Sequence, residues 1–117
     1  MSDLKKMIYD GAHRLFGDFL SWENLKLYEK QVWPEDLWTE FSNLGFTNIF
    51  SSDDQNGINA KWTDAQIILK ASGYHGAPLP VGESLASNWF ASRNGMILPD
   101  GHWAITNGPI KIDEKNI

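Results

Sequence analysis

The chain has 117 residues, 42% of them apolar, and a formal net charge of −5. That length suits one domain with a real hydrophobic core, and the composition is too apolar for general disorder. With no cysteine present, disulfides, thiol nucleophiles and thiolate metal sites are excluded.

The first segment reads as a helix. Leu4, Met7, Ile8, Ala12, Leu15, Phe16 and Phe19 recur at three- and four-residue spacing, with Ser2 or Asp3 as N-cap. Gly11 and Gly17 each weaken it by about 1 kcal/mol relative to Ala, and Gly11, lying on the apolar stripe, permits a close helix contact. Ser21 offers a second cap, and Trp22, Leu25 and Tyr28 mark a shorter amphipathic piece running to about Gln31. Pro34 fits the first position of the next helix, where a missing N–H costs nothing, and Glu35 and Asp36 place negative charge in its first turn. Leu37, Trp38, Phe41 and Leu44 form one apolar face, and Gly45 ends the helix.

Residues 46–50 are apolar and β-tolerant but few, so an extended core connector is expected. Ser51 to Asn59 is loop, with Asn56-Gly57 as a turn pair. Another helix is expected from Ala60 to Ser72, with Trp62, Ala65, Ile68 and Leu69 on one face. Gly73, Gly76, Pro78 and Pro80 then interrupt it, giving a constrained link over 72–80. A further helix follows from Gly82 to Arg93, with Leu85, Ala86, Trp89 and Phe90 facing inward and Gly95 stopping it. Beyond Gly95, Ile97-Leu98, the turn Pro99-Asp100-Gly101, then Trp103, Ile105, Ile110 and Ile112 suggest either short strands or an irregular extension folded over the helices. The expected fold is mainly α: a small up-down bundle of four to five helices over 1–95, with a short irregular or β tail at 96–117.

Candidate chemistry is sparse. His13, His75 and His102 are too scattered to propose a metal set from spacing, so no metal site is expected. A calcium loop with Gly57 at its sixth position puts Ser52, Asp54, Asn56 and Thr63 at ligand positions, where serine and threonine replace needed carboxylates; an ordinary polar turn is the better reading. There is no phosphate-binding glycine motif and no nucleophile elbow. Asp64 and Glu83 lie at helix starts, where they stabilise helices without catalytic duty. The longest basic block is Lys5-Lys6, so the electrostatic footprint for nucleic acid is missing. No apolar run is long enough for a membrane span, and Met-Ser-Asp-Leu-Lys-Lys lacks the apolar stretch of a signal peptide. A cytoplasmic location is expected.

From about Trp33 to Gly95 the chain resembles the N-terminal helical domain of the acyl-CoA dehydrogenases. Residues 34–38, Pro-Glu-Asp-Leu-Trp, open a helix that closes with Phe41-Ser42-Asn43-Leu44-Gly45-Phe46. Ser52 to Gly57 takes the place of the family's acidic, glycine-rich turn, Thr63 to Gly73 that of its next helix, and Ala77 to Ser84 that of the lead into the following one. The family's usual proline before the acidic turn is replaced by Ser51-Ser52, and its double glycine by Asn56-Gly57. The resemblance implies a flavin-dependent enzyme that uses FAD, passes electrons to an electron-transfer flavoprotein, and keeps its base and most of its flavin site outside this domain. It assigns no catalytic residue here and no FAD to the isolated domain. Tyr74, Leu79, Leu85 and Trp89 are then candidates to line the acyl pocket. The partners implied are the remaining domains or a partner subunit, in a homo- or hetero-oligomer. The competing expectation is a stand-alone helical interaction or oligomerisation domain without catalysis.

Overall fold

The computed structural model describes residues 2–21, 24, 26, 33–96 and 98. The architecture is mainly helical, and no strand occurs among the described residues. Helix α1 spans Asp3–Phe19, α2 Glu35–Asn43, α3 Trp62–His75 and α4 Val81–Arg93. No helix among them is long and apolar enough to cross a membrane.

Ser2 caps α1 as its residue type predicts: its hydroxyl accepts the Lys5 N–H at 3.2 Å. Ile8, Ala12, Leu15 and Phe16 are buried, but Met7, at the edge of the same stripe, is exposed. Gly11 makes no close helix contact. The ring of Phe46 faces it, and a Cβ there would sit at an ordinary 3.7 Å. Of the amphipathic piece expected near 21–31, most lies outside the described residues. Asn24 and Lys26 are helical, and the Ser21 hydroxyl accepts the Asn24 N–H at 3.2 Å, the bond a cap provides.

Pro34 stands one position earlier than expected. Its carbonyl accepts the Trp38 N–H at 3.0 Å, so it caps α2 rather than opening it. Gly45 does close the helix, with φ of 84°, a left-handed conformation in which a side chain is strained. The extended connector expected at 46–50 is instead a single 3₁₀ turn, Phe46–Asn48, that buries Phe46, Ile49 and Phe50. Spacings of three and four residues suit a tight helical turn better than a strand. A second 3₁₀ turn, Asp53–Gln55, lies within the expected loop, and Asn56 follows at φ 64°. There the chain doubles back on itself: Gly57 N–H bonds to the Ser52 carbonyl, Asn59 N–H to that of Ser51 and Ala60 N–H to that of Ile49.

Helix α3 starts two residues later and ends three residues later than the sequence suggested. Gly73 is accommodated inside it, and the chain turns at Gly76, φ 65°, where the Ala77 N–H reaches the Ser72 carbonyl at 2.9 Å. Its inner face carries Asp64, Ala65, Ile68 and Ala71, while Trp62, 37% exposed, lies outside that face against Phe50 and Trp89. In α4 the inner face is Val81, Ser84, Leu85, Ser87, Asn88 and Ala91; Ala86 is half-buried and Phe90 points outward, contrary to the expectation for both. Gly95, φ 65°, stops α4, and the Met96 N–H closes on the Ala91 carbonyl at 2.8 Å. The strands or extension expected beyond lie outside the described residues, Met96 and Leu98 apart.

The tightest helix pairing is α1 against α3. Lys5 meets Asp64 in a salt bridge near the start of both helices, and His13 meets His75 farther along both, so the two helices run in the same direction. Asn88 ties α4 to the turn region. Its carbonyl accepts the Phe50 N–H at 2.8 Å, and its amide donates to the Ser51 hydroxyl at 3.0 Å. Asn48, in turn, donates to the Gln55 carbonyl at 2.7 Å. A buried asparagine is tolerated here because its partners are supplied by backbone and side chains that need it equally.

Two glycines should respond oppositely to alanine. At Gly57 an added Cβ would fall 2.0 Å from the Ser51 carbonyl oxygen, so Gly57→Ala should destabilise the chain. The expected loss is about 1–3 kcal/mol, as for overpacking. Gly11→Ala has room for its methyl and should stabilise by up to about 1 kcal/mol. Urea unfolding followed by circular dichroism distinguishes them; equal effects would contradict this account of the 51–60 turn.

Candidate functional site

One flank of α1 and the end of α2 build a concave surface open to solvent. Met7, Gly11 and Leu44 are shared by two adjoining cavities of about 370 and 340 Å³. The first is completed by Asp10, Arg14, Asp18, Phe19 and Glu40, the second by Ile8, Phe46, Ile49, Asn56 and Ile58. Met7 (61% exposed), Leu44 (48%) and Ile58 (44%) offer apolar surface to solvent. Gly11 forms the floor because it has no side chain between these two walls. Three carboxylates against one guanidinium make the α1–α2 end acidic.

Such a surface arises from local rules. Met7 and Gly11 are four residues apart and so stack on one side of α1, adjacent to the buried stripe through Ile8, Ala12 and Leu15. Leu44 is brought alongside because Gly45 ends α2 immediately after it, leaving Leu44 at the helix terminus rather than in the core.

The four residues expected to line a pocket differ in exposure and surroundings. Leu85 is wholly buried in the core, and Leu79 is half-buried against it. Tyr74, 80% exposed, stands at the end of α3 beside His13 and His75. Trp89 packs on Trp62, with centroids 6.0 Å apart, and the Arg93 guanidinium lies 5.5 Å over its ring. Trp89 borders a third cavity of about 300 Å³ with Phe50, Lys61, Trp62 and Arg93. Tyr74, Leu79 and Leu85 border none of these three cavities.

Sequence spacing missed two polar contacts. The Asp64 carboxylate accepts the Lys61 N–H at 3.0 Å and pairs with Lys5 of α1. The Lys5 bond first, and the Lys61 N–H second, hold its carboxyl below the usual aspartate range. Asp64 thus serves the helix start as expected, and also joins two helices. The second contact pairs His13 Nδ1 with His75 Nε2 at 3.0 Å. Tyr9 packs on His13, Phe16 lies beside His75, and Tyr74 touches both imidazoles. Desolvation, then the neighbouring His13, pushes the His75 pKa down. Among the described residues no group of three or more histidines and carboxylates converges.

Comparison with known protein families, characterised proteins and solved structures finds no match.

The depressed His75 pKa sets a pH response. Below the ordinary histidine value of about 6.5, the unfolded chain binds more protons than the folded one, so folding stability falls with pH through that range. Urea midpoints should therefore drop as pH falls from about 7.5 to about 5.5. His75→Gln should flatten that part of the profile; a profile identical to the parent's would remove His75 as its source.

Proposed function

We propose that this chain is a helical protein-interaction domain without an active site of its own, and that it acts through the α1–α2 groove. The observation that carries the reading is the groove itself: apolar Met7, Leu44 and Ile58 left open to solvent beside an acidic flank of Asp10, Asp18 and Glu40. An apolar trough between helices suits the nonpolar face of an amphipathic segment, and the carboxylates favour one with basic flanks. The partner is thus a basic amphipathic helix. Of Tyr74, Leu79, Leu85 and Trp89, Trp89 alone borders one of the three cavities described above.

A second reading keeps the chain as one wall of an acyl-CoA dehydrogenase-like flavoenzyme. It draws on the succession of helices Glu35–Asn43, Trp62–His75 and Val81–Arg93, which follows the segment order that carries the resemblance. In that reading FAD, the catalytic base and the contact with electron-transfer flavoprotein belong to further domains or a partner subunit. Protein isolated from its natural source with its partners would then carry flavin absorbance. A colourless preparation that takes up no flavin would sink the enzyme.

The groove is tested with a fluorescent helical peptide of leucine and lysine in an amphipathic repeat, against its leucine–glutamate counterpart. The lysine peptide should bind about tenfold or more tightly than the glutamate one, a difference of ~1.4 kcal/mol or more. Gly11→Leu, which fills the floor, and Leu44→Asp should each abolish most of the binding seen by fluorescence anisotropy. Equal affinity for both peptides, or binding indifferent to both substitutions, overturns the proposal.

A further inference from the structure

We infer that His13 and His75 form a two-imidazole site for a borderline divalent first-row metal ion, with copper(II) bound most tightly, linking α1 to the end of α3. The two nitrogens that face each other, His13 Nδ1 and His75 Nε2, are 3.0 Å apart. Imidazole nitrogens bound at about 2.0–2.1 Å to one ion, with an angle of about 90–110° between them, are separated by about 2.9–3.4 Å. The pair is already at that bite. In the metal-free protein one of the facing nitrogens must carry a proton to bond with the other. An ion bound to both sits to one side of the line joining these nitrogens, and that proton moves to the far nitrogen of the same ring. Neither far nitrogen, His13 Nε2 or His75 Nδ1, has a hydrogen-bond partner among the described residues, so either can hold the proton toward water.

The surroundings favour this use. His13 is wedged against Tyr9 at a centroid distance of 4.3 Å, and His75 against Phe16 at 6.1 Å, so both rings are held by packing rather than swinging free. Tyr74, which borders both imidazoles, is 80% exposed, leaving a side from which water or an external ligand completes the coordination. Neutral imidazole suits copper, nickel and zinc, and the general affinity order places copper(II) first. The site lies on a different flank of α1 from Met7 and Gly11, and it does not rest on the groove's function.

The test is calorimetric titration of copper(II), nickel(II) and zinc(II) chlorides into the full chain near neutral pH. One ion should bind per chain, copper(II) most tightly, and unfolding temperature should rise with metal and fall back on addition of EDTA. His13→Gln and His75→Gln should each weaken copper binding by about tenfold or more, whereas His102→Gln should leave it unchanged. In the unsubstituted chain, copper(II) should broaden the NMR signals of Tyr9, His13, Gly17, Tyr74 and His75 before others, which decides the matter even if a variant folds poorly. Absence of saturable binding, binding unaffected by both Gln variants, loss of binding in His102→Gln alone, or broadening centred elsewhere would each overturn the inference.

Discussion

The seam between α1 and α3 is the constraint on which the rest of this fold depends. Its middle is apolar, with Ile8, Ala12 and Phe16 on α1 and Ala65, Ile68 and Ala71 on α3, all deeply buried. Small residues at positions 12, 65 and 71 allow the helices to approach, and dispersion and burial supply most of the attraction. Apolar contacts alone leave such a pair free to slide by a turn. Polar contacts at either end remove that freedom: Lys5 with Asp64 at one, His13 with His75 at the other. Each is directional, and each loses its partner if the register shifts.

With that seam fixed, the turn region between α2 and α3 has a surface to close against. Phe46 faces Gly11 of α1, and Asn88 of α4 captures the Phe50 N–H from the other side. The 46–60 segment is therefore ordered by neighbours on two sides despite containing only two short 3₁₀ turns of regular structure. Leaving the Phe50 N–H without its acceptor would cost about 1–3 kcal/mol, comparable with removing a core methylene or two. The same ordering gives the groove its second wall, since Phe46, Ile49 and Ile58 all belong to this segment.

Much of the helical content was legible in the residues because apolar spacing and terminal signals agree. Ser2, Gly45 and Gly95 mark ends where the structure has them. Legibility failed where two signals compete. Gly73 reads as a breaker, yet one glycine costs a helix only about 1 kcal/mol, and burial of Ala71 with the left-handed turn at Gly76 outweighs it. Ending the helix at Ser72 placed His75 in a link; continuing it carries His75 onto the same side as Ile68 and Ala71, toward His13. In α4 the aromatic pair Trp89-Phe90 dominates a hydrophobicity reading, but the buried side combines Val81 and Leu85 with Ser84, Ser87, Ala91 and Asn88, whose hydrogen-bond partners lie 37, 38 and 40 residues away in sequence. No local pattern announces such a partner. The groove was hidden for a related reason: Met7 and Leu44 look like core residues in their own helices, and only the tertiary arrangement leaves them outside.

The parallel run of α1 and α3 has a kinetic corollary. The residues that lock the seam are 59 and 62 positions apart in the chain. A loop of that length must close before the seam returns any energy, and the entropy of closure is spent ahead of the contacts that compensate it. Helical domains whose neighbours are consecutive avoid this delay. Here α1 meets its principal partner only after α2 and the 46–60 turn region have been made, so its inner face must wait for α3 across both of them.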